Sequence, residues 1–202
     1  MSLVEAISQA KDLSDWLHTK INEKNFSVVE RDDWGVALLQ HSWDVADAII
    51  ILLERDLPGP AWTLARPLCE SFVRGVWILH CASDKQVENF RKGEPPKFSL
   101  LLKAMDNHNE AKLHAAWIRA QMQNKDVFHD FTHGGIEHVL RRIDKNVVEP
   151  HYSEHELEYL VGLGTEVYIR VGCELFTLMN ETEATRQLCE KVQASLKRPA
   201  LV

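Results

Sequence analysis

The chain has 202 residues, of which 45% are hydrophobic and 26% are charged, and its formal net charge at pH 7 is -7. This length predicts one domain with a sizeable core. The acidic balance argues against a general nucleic-acid coat or an anionic membrane surface as the main partner, because both favour proteins with dense lysine and arginine.

The sequence predicts a cytoplasmic protein that does not span a membrane. Its longest purely aliphatic run, residues 48–53, is far shorter than the roughly 20 residues that a membrane span requires. The start of the chain lacks the basic and long apolar regions of a secretion signal. The four cysteines include no CxxC pair, which favours reduced thiols.

Two helices are predicted before residue 60. Ser2 and Glu5 have the spacing of a capping box, and apolar residues then recur near helical spacing to residue 22. Residues 34–55 form a second, longer helical pattern, which ends at the breaker Leu-Pro-Gly-Pro of residues 57–60. Because this breaker is short, the third helix is expected to fold back antiparallel on the second.

The chain is organised around residues 61–81, an almost continuously apolar segment with three charged residues at intervals of four. On a helix, Arg66, Glu70 and Arg74 lie within about 80° of one another, and apolar side chains cover most of the remaining surface. Such a helix is typically central in a fold. A buried unpaired guanidinium would cost several kcal/mol. We therefore expect these three residues, the arginine ladder, either to open to a cleft or to pair internally.

Acidic residues on the second helix are candidate partners for the arginine ladder. His41, Asp44 and Asp47 are three apart and therefore share one helical face. Across an antiparallel interface, Asp44 or Asp47 would lie within reach of the ladder. The alternative is that this face of the second helix is a solvated stripe.

The remainder of the chain continues the helical pattern. Capping-box spacings recur at Ser83 with Gln86 and at Ser153 with Glu156. No alternating run is long enough to predict a strand. Helical patterns cover five further segments, which are residues 84–93, 98–105, 110–123, 155–180 and 182–196.

These patterns together predict an all-α fold. We expect a single-domain antiparallel helical bundle of about seven or eight helices that spans residues 1–202. Its core covers about residues 34–181. The N-terminal helix, residues 2–22, and the C-terminal helix, residues 182–196, are expected to pack on this core.

Residues 127–143 hold the second unusual pattern, three histidines around a glycine pair. His129 and His133 have the i, i+4 spacing that places two imidazoles on one helical face, and His138 follows the glycines. These histidines are expected either to hydrogen-bond to neighbouring helices or to take a polar or catalytic role. Zinc would need further ligands that the sequence does not supply specifically, so no metal and no cofactor is predicted. The pair His129-Asp130 also lacks the additional ligands of a metal phosphohydrolase.

Arg74, five intervening residues and His80 together resemble the R-x4-6-H signature of the HEPN superfamily of helical proteins. The segment ARPLCESFVRGVW with the later FHDFTHGG is also similar to uncharacterised bacterial helical families, some linked with abortive infection, that are grouped near HEPN proteins. The resemblance covers roughly residues 38–142. It implies a helical bundle, frequently a homodimer, whose active members cleave RNA without a metal.

The resemblance assigns phosphate stabilisation to Arg74 and acid-base work to His80. A guanidinium can hold two phosphate oxygens, and a neutral imidazole can accept and then return a proton. Gly75 stands where the family usually has a polar residue. Residues six apart on a straight helix are ~9 Å apart along its axis. The reaction would therefore need a site shared in a dimer, or His133 in place of His80.

A second hypothesis is a non-catalytic module for protein interaction or for binding a small anion. In this interpretation the arginine ladder is a structural network, or it receives an anionic ligand. Arg66, Glu70 and His129 are then the candidate ligand-binding residues. The sequence does not decide whether the protein is an enzyme. The predicted partners are a second copy of the chain and RNA or an anionic ligand, without a membrane.

Overall fold

A computed structural model describes residues 2–22, 30–123, 125–144 and 147–196. Within these ranges the chain forms ten helices and one antiparallel pair of very short strands, which confirms the predicted all-α class. The elements are α1 (Leu3–Asn22), α2 (Asp33–Glu54), α3 (Pro58–His80), α4 (Asp84–Arg91), α5 (Phe98–Asp106), α6 (Lys112–Gln121), α7 (Lys125–His133), α8 (Ile136–Leu140), β1 (Ile143–Asp144), β2 (Val147–Val148), α9 (Glu154–Leu178) and α10 (Thr182–Leu196).

The number of helices exceeds the predicted seven or eight because the histidine-rich segment forms two helices of its own, α7 and α8. Gly134 separates them with a φ of +69°, a backbone conformation that favours glycine. β1 and β2 then form a hairpin that no alternating pattern predicted, in which Ile143 pairs with Val148.

Local sequence signals place the starts of several helices. The three predicted capping boxes are all present, formed by Ser2 with Glu5, Ser83 with Gln86 and Ser153 with Glu156. Helix α3 begins at Pro58, earlier than the predicted residue 61. Proline suits the first turn of a helix, because an N–H there would have no acceptor within the helix.

The central pair of helices, α2 and α3, pack in antiparallel directions, as the short breaker between them predicts. The start of α2 and the last part of α3 approach each other closely at two glycines, Gly35 and Gly75. A Cβ atom on Gly75 would lie 3.0 Å from the carbonyl oxygen of Gly35 and 2.9 Å from the side chain of Leu39. The two backbones therefore approach within a distance that side chains would prevent.

The other helices surround this pair. Helix α9 packs on α2, α1 and α10 pack on α9, and α5, α6 and α7 pack on α3. The buried side chains form a hydrophobic cluster, whose largest fully buried members include Trp77, Tyr168, Phe72, Phe131 and Phe176. The assignment of the whole chain to one domain stays a prediction.

Helix α2 is the one helix in the described ranges that is long and apolar enough to cross a membrane, judged by length and composition. Of its apolar window, 50% is buried inside the molecule. The core helix of a soluble protein can be equally long and apolar, so length and composition do not distinguish a core helix from a membrane-spanning helix. The predicted lack of a membrane partner stays a prediction.

Candidate functional site

The arginine ladder pairs internally on α3. Oε1 of Glu70 accepts a hydrogen bond from Nε of Arg66 at 2.8 Å, and Oε2 accepts one from Nη1 of Arg74 at 3.1 Å. The three side chains are 32%, 23% and 24% exposed in chain order. One half-buried carboxylate therefore bridges two guanidinium groups that still reach solvent.

The acidic residues of α2 do not take part in this network, so the expected pairing of the ladder with Asp44 or Asp47 is wrong. Asp47 accepts hydrogen bonds from Oγ of Ser14 at 2.8 Å and from the hydroxyl of Tyr168 at 2.6 Å. Asp44 and His41 are exposed. The face of α2 that carries Asp47 is turned toward α1 and α9, whereas α3 packs on a different face.

Helix α7 brings His129 to the ladder. Nη1 of Arg66 donates to Nδ1 of His129 at 2.8 Å. The rings of His129 and His133 lie next to each other with centroids 4.4 Å apart, as their i, i+4 spacing predicts. Both side chains are exposed. Helix α7 is held against α3 by the stacked rings of Trp62 and Phe131, whose centroids are 4.9 Å apart.

The third histidine of this segment has a structural contact. Nε2 of His138 donates to the carbonyl oxygen of Phe131 at 2.7 Å, and the two rings meet edge to face. Asp130 accepts from the backbone N–H of Glu137 at 3.3 Å, at the start of α8. His138 and Asp130 therefore stabilise the junction between α7 and α8. For His138, the sequence had left open whether it forms such a structural hydrogen bond or has a polar or catalytic role.

His80 belongs to a second cluster, which is built around Glu174 of α9. Nε2 of His80 lies 2.7 Å from one carboxylate oxygen of Glu174, and Nε2 of His114 lies 2.8 Å from the other. Glu174 and His114 are 7% and 9% exposed. On the far side of its ring, His114 faces Arg170, with Nδ1 3.3 Å from Nη1. With a carboxylate at Nε2 and a guanidinium donor at Nδ1, the ring of His114 donates through Nε2 and accepts through Nδ1.

The two imidazoles keep Glu174 ionised in a buried position. Burial by itself would raise the pKa of this carboxyl group, but the hydrogen bonds from His114 and His80 outweigh burial and lower the pKa to about 2. The hydrogen bond with Glu174 in turn raises the pKa of His80, against the effect of its own burial. A buried carboxylate without such partners would be strongly destabilising.

Glu174 and His114 are not among the site residues that the sequence predicts. Glu174 lies 94 residues from His80 along the chain and 60 residues from His114. One signal was available, because Arg170 and Glu174 lie four apart inside an apolar stretch of α9, the same pattern that drew attention to the arginine ladder.

The structure therefore divides the predicted site residues between two places. Arg66, Glu70 and Arg74 are connected through His129 to His133. His80 stands apart at the end of α3. Within the described ranges, no hydrogen bond or ion pair joins it to Arg74, whose ion pair is with Glu70. The two residues of the R-x4-6-H signature consequently have different partners.

A groove of about 730 Å³ lies between α1, α9 and α10. It is lined by apolar side chains such as Leu13, Val161 and Ile169, together with polar residues of the same helices. None of the predicted site residues lines it. The chemistry-bearing side chains of α3 are therefore separate from this groove.

The chain is thus an all-helical protein with two polar clusters along one central helix, α3. Residues 39–198 match the family described as a family of unknown function, DUF6988. The match spans most of the chain, including α3, α7 and α9, and the chain belongs to this family. No curated protein and no solved structure matches the chain significantly.

Proposed function

We propose that this protein is a non-catalytic helical module that binds a small anionic ligand at the arginine ladder. The observation that carries the proposal is the sharing of Glu70 by two arginines. One carboxylate balances one of the two guanidinium charges, so the ladder retains a net positive charge at a partly exposed surface.

Unused hydrogen-bond donors support this proposal. Within the described ranges, Arg74 uses Nη1 alone in hydrogen bonding, and Arg66 uses Nε and Nη1. No other described residue accepts from Nε or Nη2 of Arg74 or from Nη2 of Arg66, so these donors remain for a ligand. Guanidinium groups present such donors in a planar fork that matches carboxylate or phosphate oxygens.

His129 adds to the same surface. Because its Nδ1 accepts from Arg66, the ring proton belongs on Nε2, which provides a further donor. Glu70 meanwhile holds both arginines in place, which lowers the entropy that a ligand must remove on binding. The ladder therefore combines surplus positive charge, free donors and preorganised side chains.

Isothermal titration with inorganic phosphate tests this proposal. Arg74→Ala removes charge-assisted hydrogen bonds of about 1.5–3 kcal/mol each, so we expect phosphate binding to weaken about tenfold or more. Arg119→Ala is the matched control, because Arg119 is an exposed arginine of α6 that pairs with Asp106. The proposal fails if the wild-type protein does not bind phosphate, or if the two variants bind it equally well.

HEPN-like RNA cleavage is the second candidate function, and the contact of His80 with Glu174 favours it. A carboxylate that orients a histidine is a common arrangement in general acid-base catalysis. Arg74 is turned to Glu70 in one chain, so a phosphate-binding arginine would have to come from a second copy. RNA cleavage that is lost in Arg74→Ala and in His80→Ala or His133→Ala, with the fold retained, would support this function. Unchanged cleavage in all three variants excludes it.

We also propose that the protein is a cytoplasmic homodimer. Exposed large apolar side chains are concentrated in α8 and the following hairpin, namely Ile136, Val139, Leu140, Ile143, Val147 and Val148. Contiguous exposed apolar surface typically marks an interaction site. All four cysteines are free thiols, which supports a reducing compartment.

A further inference from the structure

We propose that His80, His108 and Glu110 form a binding site for a divalent transition-metal ion of the Zn²⁺ type. Each residue offers one ligand atom, and these three atoms lie within 4.8 Å of one another. His80 ends α3, and the other two residues lie in the loop between α5 and α6. Two imidazoles and one carboxylate are a ligand set that zinc enzymes use, with a fourth position left for water or a substrate.

His108 presents a nitrogen that lacks a proper partner. Its Nδ1 atom is shielded from solvent and lies 3.0 Å from Oε2 of Glu110, yet it makes no hydrogen bond of acceptable angle with any protein group in the described ranges. A buried polar atom without a hydrogen bond is costly. A metal ion between His108 and Glu110 would satisfy both groups at once.

Glu174 orients His80 through a hydrogen bond to one of its two ring nitrogens. Nε2 of His80 is 2.7 Å from Glu174, which leaves Nδ1 as the nitrogen that can bind a metal. Histidine ligands in metal sites typically donate their other ring N–H to a carboxylate, which fixes the tautomer and the orientation of the ring. Glu174 is itself held by His114 at 2.8 Å. The hydrogen bonds that would orient His80 as a metal ligand are therefore already formed.

The surroundings of the site also favour a cation. His80 lies in the last turn of α3, where the backbone carbonyl groups give the helix end a partial negative charge.

Ligand atoms around zinc are about 3.3 Å apart at bond lengths of about 2.0–2.2 Å. His108 and Glu110 are already at about this spacing, with 3.0 Å between Nδ1 and Oε2, so the longer separations in the cluster, which reach at most 4.8 Å, must shorten on binding. Glu110 is exposed and can rotate inward without disturbing the core.

The metal site lies at the C-terminal end of α3, beyond the arginine ladder in the middle of the helix. It also bears on the RNA-cleaving candidate, because a metal bound to Nδ1 of His80 would remove the free imidazole that acid-base catalysis requires. The arginine ladder shares no residue with the metal site. Phosphate binding and metal binding can consequently succeed or fail independently.

Zinc retention by the purified full-length chain tests the inference. The protein is stripped with a chelator, loaded with zinc chloride and passed through gel filtration, and the bound metal is then quantified. We expect about one zinc ion per chain, and Co²⁺ in place of zinc should show the visible absorption of a site with nitrogen ligands. His108→Ala and Glu110→Gln should each abolish stoichiometric retention, since both residues lie on a loop outside the buried pair formed by His80 and Glu174.

His133→Ala is the matched control, because it removes an exposed histidine from α7 and should leave zinc retention unchanged. Circular dichroism confirms that each variant is folded before its metal content is compared. The inference is overturned if the wild-type chain retains no zinc. It is equally overturned if His108→Ala and Glu110→Gln retain as much zinc as the wild type, or if His133→Ala alone loses it.

Discussion

Glu70 sets the charge balance of the arginine ladder, because its carboxylate accepts from both Arg66 and Arg74. Burial by itself would raise the pKa of Glu70. The hydrogen bonds and charges of the two guanidinium groups outweigh burial and hold this pKa below its ordinary value of 4.5. Glu70 is therefore ionised at neutral pH and holds both arginines in position.

We expect Glu70→Ala to lower the free energy of unfolding by about 1–3 kcal/mol, since it leaves two half-buried guanidinium groups without their shared acceptor. Thermal denaturation followed by circular dichroism measures this loss. Glu183→Ala is the control, because Glu183 pairs with Arg186 on the exposed surface of α10, and such pairs contribute about 1 kcal/mol or less. Equal stability of Glu70→Ala and the wild type would show that the ladder is not a structural network.

The lowered pKa of Glu70 predicts a loss of stability in acid. Because the pKa is lower in the folded state, the ionised carboxylate stabilises the fold above the ordinary value of 4.5, and this contribution disappears as the pH falls through the folded value. Urea unfolding of the wild type and of Glu70→Gln, from about pH 7 downward, isolates the effect. We expect the stability difference between them to shrink as the pH falls. A difference that stays constant across the titration would contradict this assignment.

At the scale of the helices, the contact between α2 and α3 explains why glycine follows Arg74. A side chain at position 75 would meet the backbone of Gly35, which cannot move aside like a flexible side chain. The polar residue that the HEPN signature usually has there would not fit. The close packing of α2 against α3 therefore explains why this chain has glycine at position 75 instead of the polar residue of the signature.

Gly75→Ala should lower the free energy of unfolding by about 1–3 kcal/mol, because the added methyl group overpacks the crossing of the two helices. Gly162→Ala in α9 is the matched control, since its Cβ would have no neighbouring atom within 4 Å. Alanine is the better helix former, so this variant should be about 0.5–1 kcal/mol more stable than the wild type. Urea unfolding compares the three proteins. A stability gain in Gly75→Ala would show that the helices can separate without cost.

At the scale of the whole molecule, the exposed apolar segment predicts association of two copies. Light scattering coupled to gel filtration should give a dimer for the wild type and a monomer for Leu140→Asp, because a carboxylate in an apolar interface is costly to bury. Val4→Asp is the control, since Val4 is an equally apolar and 77% exposed residue on α1. A monomeric wild type, or a dimer that survives Leu140→Asp, would count against the proposed interface.

The helices and the ladder were predictable because they depend on residues a few positions apart. Capping boxes join residues three apart, and the pairs of Glu70 with Arg66 and Arg74 join residues four apart. These contacts follow from helical geometry alone. The sequence was less informative about the histidine-rich segment, where Gly134 allowed two short helices that no periodicity indicated.

The all-helical class, the central position of α3 and the pairing of its i, i+4 charges follow from the order of residues along the chain. Helix packing decided which face of α2 meets α3, and therefore that the carboxylate of Asp47 accepts from Tyr168 instead of from the arginine ladder. It also decided that Glu174 binds His80 across 94 residues of chain. Helical periodicity orders side chains around one axis, but it does not specify how separate helices are rotated against each other.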